Sequence, residues 1–128
     1  MMRSAALLRR IALLALGVFF VAAGALHFLR TEMYVRTIPP WLPAPLDLVY
    51  VSGVFEILGG LGVLIPASRK LAGGGLIVLL IAVFPANLQM ATHASDYADI
   101  ASPLLLWLRL PLQALLIYWV RQVCFPRR

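Results

Sequence analysis

Residues 49 to 65 form an apolar stretch held between Pro45 and Pro66, and one carboxylate, Glu56, sits near its middle. As a helix rising ~1.5 Å per residue, such a stretch crosses most of a ~30 Å hydrocarbon layer. Helical spacing of i, i+3 and i+7 puts Gly53, Glu56 and Gly60 on one face. Small residues let a neighbouring helix approach closely, and a bare charge in lipid costs several kcal/mol. Glu56 therefore requires a partner from another helix, and the remainder of the chain has to supply it.

Three further apolar runs are available. The expected spans lie at about 11–29, 46–65, 71–91 and 103–123. Of the 128 residues, 62% are hydrophobic and 12% charged, against roughly half and a quarter in a soluble domain. The composition predicts an integral membrane protein of all-α class, with one domain over residues 1–128. The net charge of +6 does not point to nucleic acid, because the basic residues flank apolar runs and form no patch interleaved with exposed aromatics. The lone Cys124 excludes an internal disulfide and any two-cysteine redox motif.

The first run competes with a secretory signal peptide, since Ala23-Gly24-Ala25 resembles a cleavage site. Apolar character continues to Phe28 and Leu29, and three spans follow, so a retained helix is expected. It carries Gly17, Gly24 and His27 along one side. The connector from Arg30 to Leu48 contains Pro39, Pro40, Pro43 and Pro45 and reads as a stiff crossing, with a short interfacial helix possible over 31–37. Tyr34, Trp41 and Tyr50 suit the headgroup belt. The third span carries Pro85 inside it, which predicts a kink, followed by Asn87 and Gln89. Ser102-Pro103 reads as an N-cap and first helical residue.

Arg3, Arg9, Arg10, Arg69, Lys70, Arg121, Arg127 and Arg128 would all fall on one side of the membrane. The opposite side pairs Arg30 and Arg36 with Glu32, Asp47, Asp96 and Asp99. The positive-inside rule then puts both termini in the cytoplasm, with the protein in the cell (inner) membrane. Short connectors make an antiparallel four-helix bundle the simplest arrangement.

Position along each helix places His27, Glu56, Asn87, Arg109 and Gln113 in the outer half or the middle of such a bundle. They form the expected ligand-binding set, with Glu56 and Arg109 within direct or one-water hydrogen-bonding reach of each other. The bland readings are a structural Glu56–Arg109 pair, an Asn87 that caps the Pro85 kink, a Gln113 that bonds between helices, and a His93 on the loop surface. His27 with Glu56 is a poor metal set. No nucleophile–base pair, phosphate-cradling loop or dinucleotide fingerprint occurs, so catalysis by the chain alone ranks last.

The motifs His27-Phe28, Pro39-Pro40-Trp41-Leu42-Pro43, Phe84-Pro85-Ala86-Asn87 and Arg109-Leu110-Pro111-Leu112-Gln113, with the run from Ser52 to Gly60, together resemble the DoxX-like family of small four-helix membrane proteins. The resemblance covers about residues 24 to 119. It implies a redox-associated membrane protein, a non-catalytic subunit or binding module that holds a quinone-like or other small amphipathic ligand in an outward-facing pocket. The implied partners are the lipid bilayer and either a redox enzyme or a second copy of the chain. Two other readings stand beside it: a small proton-coupled permease in which Glu56 changes protonation, and a bundle whose buried polar residues serve packing alone.

Overall fold

The computed structural model describes residues 2–127. Its helices are α1 (Met2–Leu29), α2 (Thr31–Thr37), α3 (Pro45–Leu64), α4 (Arg69–Ala82), α5 (Phe84–Thr92) and α6 (Pro103–Cys124), with one 3₁₀ turn over Ala94–Tyr97. Taking α4 and α5 together as Arg69–Thr92, four helical segments are long and apolar enough to cross a membrane. Among the described residues there is no strand.

Local chemistry sets the helix ends. Pro45 opens α3, where its missing N–H costs nothing, and Ala44 before it turns the chain through a left-handed φ of 50°. The last carbonyls of α3 are capped from beyond the turn. Ser68 Oγ donates to Gly62 O at 2.8 Å, and Arg69 Nε donates to Val63 O at 2.8 Å. Ser102 caps α6 by accepting from Leu105 N, with Pro103 as the first helical residue.

The run expected as one kinked span is two helices. Pro85 has no N–H for the Ile81 carbonyl, and its ring crowds that carbonyl, so the break falls at Val83, ahead of the proline. By contrast α6 passes through Pro111 without interruption.

Packing is tightest between α1 and α3, where glycines face each other in pairs. A Cβ on Gly60 would lie 2.7 Å from Gly17 O, and one on Gly24 would lie 2.7 Å from Gly53 O. The α1 face expected from sequence, Gly17, Gly24 and His27, is buried in this contact. On the other side of α3, Gly59 and Gly62 admit Leu76 and Ala72 of α4. Gly73 of α4 abuts Cys124 at the end of α6. Arg9 donates to Val123 O through Nε at 3.2 Å and Nη2 at 2.9 Å, so the first and last helices meet at the end of the molecule nearest the termini.

Two apolar clusters result. Leu13, Leu16, Phe20, Val63, Leu76 and Val120 belong to the one that fills the terminus end. Met90, Tyr97 and Leu106 form a smaller one at the far end. Large apolar side chains such as Val18, Phe55, Val78 and Leu115 point outward, a surface compatible with lipid contact.

Candidate functional site

Between the clusters lies a cavity of about 240 Å³. Its wall includes His27, Glu56, Asn87, Arg109 and Gln113, so α1, α3, α5 and α6 bring all the expected polar side chains to one space. Phe20, Leu80 and Leu116 provide apolar wall, and Met33, Tyr34 and Thr37 of α2 cover the far end.

Glu56 takes a different partner from the one its sequence context suggested. No ion pair joins it to Arg109 among the described residues; His27 Nε2 lies 2.8 Å from Glu56 Oε2 instead. The cause is the Gly24–Gly53 contact. It brings α1 so close to α3 that the imidazole, one turn beyond Gly24, occupies the space beside the carboxylate. Arg109, on the α6 wall of the cavity, directs Nη1 to Met90 Sδ at 3.6 Å.

Hydrogen bonding around His27 constrains its proton. Nδ1 lies 3.0 Å from the Val49 carbonyl and 3.1 Å from Ser52 Oγ, and that hydroxyl itself donates to Val49 O at 3.0 Å. A carbonyl only accepts, so Nδ1 carries hydrogen and donates. Nε2 is then the nitrogen that faces the Glu56 carboxylate. The Nε2 approach is at ion-pair distance but off the ring's donor direction, and Glu56 Oε2 has no aligned hydrogen-bond donor among the described residues. A buried carboxylate oxygen on a cavity wall with acceptor capacity to spare is the least satisfied polar atom of the site.

Asn87 and Gln113 have become one unit. Gln113 Nε2 donates to Leu80 O, in the last turn of α4, and Gln113 Oε1 accepts from Asn87 Nδ2 at 2.8 Å. It is Gln113, rather than Asn87, that caps the helix broken by Pro85. His93 is exposed and bonds only locally, to Thr92 and Gln89.

Two side chains not foreseen as site members join the set. Ser52, one helical turn before Glu56, buttresses Nδ1 of His27. Its spacing from Glu56 is the signal that could have found it. Tyr34 stacks on the His27 ring at 4.2 Å. Burial holds its phenol above the ordinary value, reinforced by the Glu56 charge and opposed by Arg109, so it stays a neutral hydroxyl. No short spacing links Tyr34 to His27 along a helix, because Arg30 breaks the chain between them.

The α2 cover is tied down on its outer side. Arg36 donates to both Asp99 oxygens, at 2.6 and 3.0 Å, and to Asp96 O at 3.0 Å. Tyr97 Oη donates to Arg36 O at 2.8 Å. The guanidinium's hydrogen bond holds the Asp99 carboxyl below its usual range, so the clasp is ionised at neutral pH.

Among the described residues no three His, Cys, Asp or Glu side chains are grouped to hold a metal ion. The arrangement offers an imidazole beside a carboxylate, an under-used acceptor at Glu56 and donors at Arg109, around a space large enough for one ring. A cavity of ~150 Å³ suffices for benzene.

A family model described as a domain of unknown function (DUF8561) matches residues 16–124. No curated protein and no solved structure matches the chain.

Proposed function

The chain belongs to the DUF8561 family, and from its own site we propose that it is a membrane-embedded binding module whose interior cavity holds the headgroup of a small amphiphile. One observation carries this reading: Glu56 Oε2, buried and without an aligned donor, lies on the wall of a cavity lined from α1, α3, α5 and α6. A headgroup hydroxyl would donate to that oxygen, and a headgroup acceptor would meet Arg109. An apolar space with a few convergent polar groups is the expected form of such a site. A quinone-type ring fits this pattern, and the motif resemblance to DoxX-like proteins supports a setting beside a redox enzyme.

In this reading the four long helices form an antiparallel bundle in the inner membrane. The end that carries Arg3, Arg9, Arg10, Arg69, Lys70 and Arg121 faces the cytoplasm. The cavity then belongs to the outer half. Transport is the weaker reading, because the apolar cluster around Leu16, Phe20 and Val120 fills the path to the cytoplasmic end. A bundle whose polar residues only serve packing would have filled the space beside Glu56.

Mass spectrometry of small molecules retained by the gently purified protein tests the proposal. The parent should carry a stoichiometric amphiphile, and Glu56→Gln should lose it while remaining folded. A parent protein that retains none above the detergent background overturns the reading.

A further inference from the structure

We infer that the ligand reaches the cavity sideways, from within the outer leaflet, through the seam between α1 and α6, and is therefore a tailed amphiphile that leaves its tail in the hydrocarbon. The inference rests on the binding reading above and adds to it the route and the shape of the ligand.

Two of the seams between neighbouring helices are shut at the depth of the cavity, and a third is shut nearer the terminus end. Facing glycines close α1 on α3. Gly59 and Gly62 close α3 on α4 in the terminus half, and beside the cavity the wall residues of α3 and the α4–α5 segment, such as Ser52, Glu56, Val83 and Ala86, are half-buried. The Asn87–Gln113–Leu80 hydrogen bonds and the Gly73–Cys124 contact close α4 and α5 on α6. The fourth seam is fastened at one end only. Arg9 holds Val123 O, and the Phe19 ring lies 6.4 Å from that of Trp119. From Phe19 to the far end of α1, no hydrogen bond or ion pair joins α1 to α6 among the described residues.

Exposure marks the same place. Most of the cavity wall is buried or half-buried, but Phe19, Arg109 and Leu112 are exposed, and they stand on α1 and α6. Depth follows from helix rise. Arg109 lies ~9 Å and Leu112 ~14 Å from the start of α6, and Phe19 ~15 Å from the end of α1. An outer leaflet contributes ~15 Å of hydrocarbon, so the opening faces acyl chains. The aqueous side is roofed by α2, with Tyr34 stacked on His27 and Arg36 clasped to Asp99.

A molecule using this route is dissolved in the bilayer. Its headgroup passes Arg109, whose contact with a thioether leaves guanidinium hydrogens for an acceptor oxygen. Its hydroxyl finds Glu56 Oε2, and its single tail lies out past Phe19 and Leu112.

The route is tested with a cysteine on the α5 wall of the cavity, Ala86→Cys in a Cys124→Ser background, in sealed membranes. N-dodecylmaleimide, which partitions into lipid, should label it, and the impermeant 2-sulfonatoethyl methanethiosulfonate should not. Adding Leu112→Trp should abolish labelling by the lipid-borne reagent, whereas Leu112→Ala should leave it. The comparison of the two reagents does not depend on either Leu112 variant folding. Labelling by the sulfonate reagent, labelling unaffected by Leu112→Trp in a folded protein, or labelling by neither reagent each overturns the lateral route. If the purified protein still retains its amphiphile in such a case, the binding reading stands and the route alone is wrong; if it retains none, the binding reading itself has failed.

Discussion

His27 shows how the two nitrogens of one ring can face different neighbours. Nδ1 is committed to the Val49 carbonyl, and Nε2 is left to Glu56. His27→Leu strands a buried carboxylate, and the expected cost is about 3 kcal/mol, at the lower end for a broken buried pair. Adding Glu56→Leu should recover most of that loss, since well-packed apolar groups can replace a buried pair. Thermal unfolding in detergent checks this. A double variant no more stable than His27→Leu would mean that the two residues do not act as a unit. Arg109 would not substitute for His27, because its contact in the structure is to Met90.

At the scale of elements, the glycines separate into those that carry helix contacts and those that do not. A Cβ on Gly60 would meet Gly17 O at 2.7 Å and Val21 N at 2.9 Å, both backbone atoms that cannot swing aside. Gly60→Ala should therefore cost about 1–3 kcal/mol through forced separation of α1 and α3. Gly75 has nothing within 4 Å, so Gly75→Ala should be neutral or stabilise by up to about 1 kcal/mol, as expected for removing glycine from a helix. Equal effects of the two substitutions on the unfolding temperature would refute this division. The helices themselves were legible in the sequence, because apolar runs bounded by Pro45, Pro66 and Ser102-Pro103 leave little choice of element. Close packing at Gly53 and Gly60 was legible for the same reason: small residues share a face with a carboxylate that must turn inward. The partner of Glu56 was not legible. His27 and Arg109 were both available, and the choice between them depends on how near α1 approaches α3, which is a property of two helices together. Likewise Pro85 announced a disturbed helix, but which amide would reach the freed backbone depended on where α6 came to lie.

The end of the molecule nearest the termini carries Arg3, Arg9, Arg10, Arg69, Lys70 and Arg121, and the acidic loop with Asp96 and Asp99 lies at the other. Ala67 lies in the turn between α3 and α4, and Ser95 in the 3₁₀ turn at the opposite end; both are exposed. Single cysteines at these two positions, in a Cys124→Ser background, should react with an impermeant maleimide from opposite sides of the membrane, Ser95→Cys in intact cells and Ala67→Cys only after permeabilisation. The reverse pattern would invert the orientation proposed above, and equal labelling of both in sealed cells would remove it. Both positions avoid Ser68, whose hydroxyl is engaged with Gly62 O.

The hydrogen bond from Gln113 to Leu80 also bears on how the protein is made. Ribosomes deliver α1, α3 and the α4–α5 segment to the membrane before α6. The glycine-faced α1–α3 pair can assemble as soon as its second member is inserted. The carbonyl of Leu80, however, has its Gln113 partner only after the last segment has been synthesised. Until then the broken helix exposes backbone polarity that lipid cannot satisfy. The cavity, walled in part by Arg109, Leu112, Gln113 and Leu116 of α6, is likewise complete only once that last segment is in place.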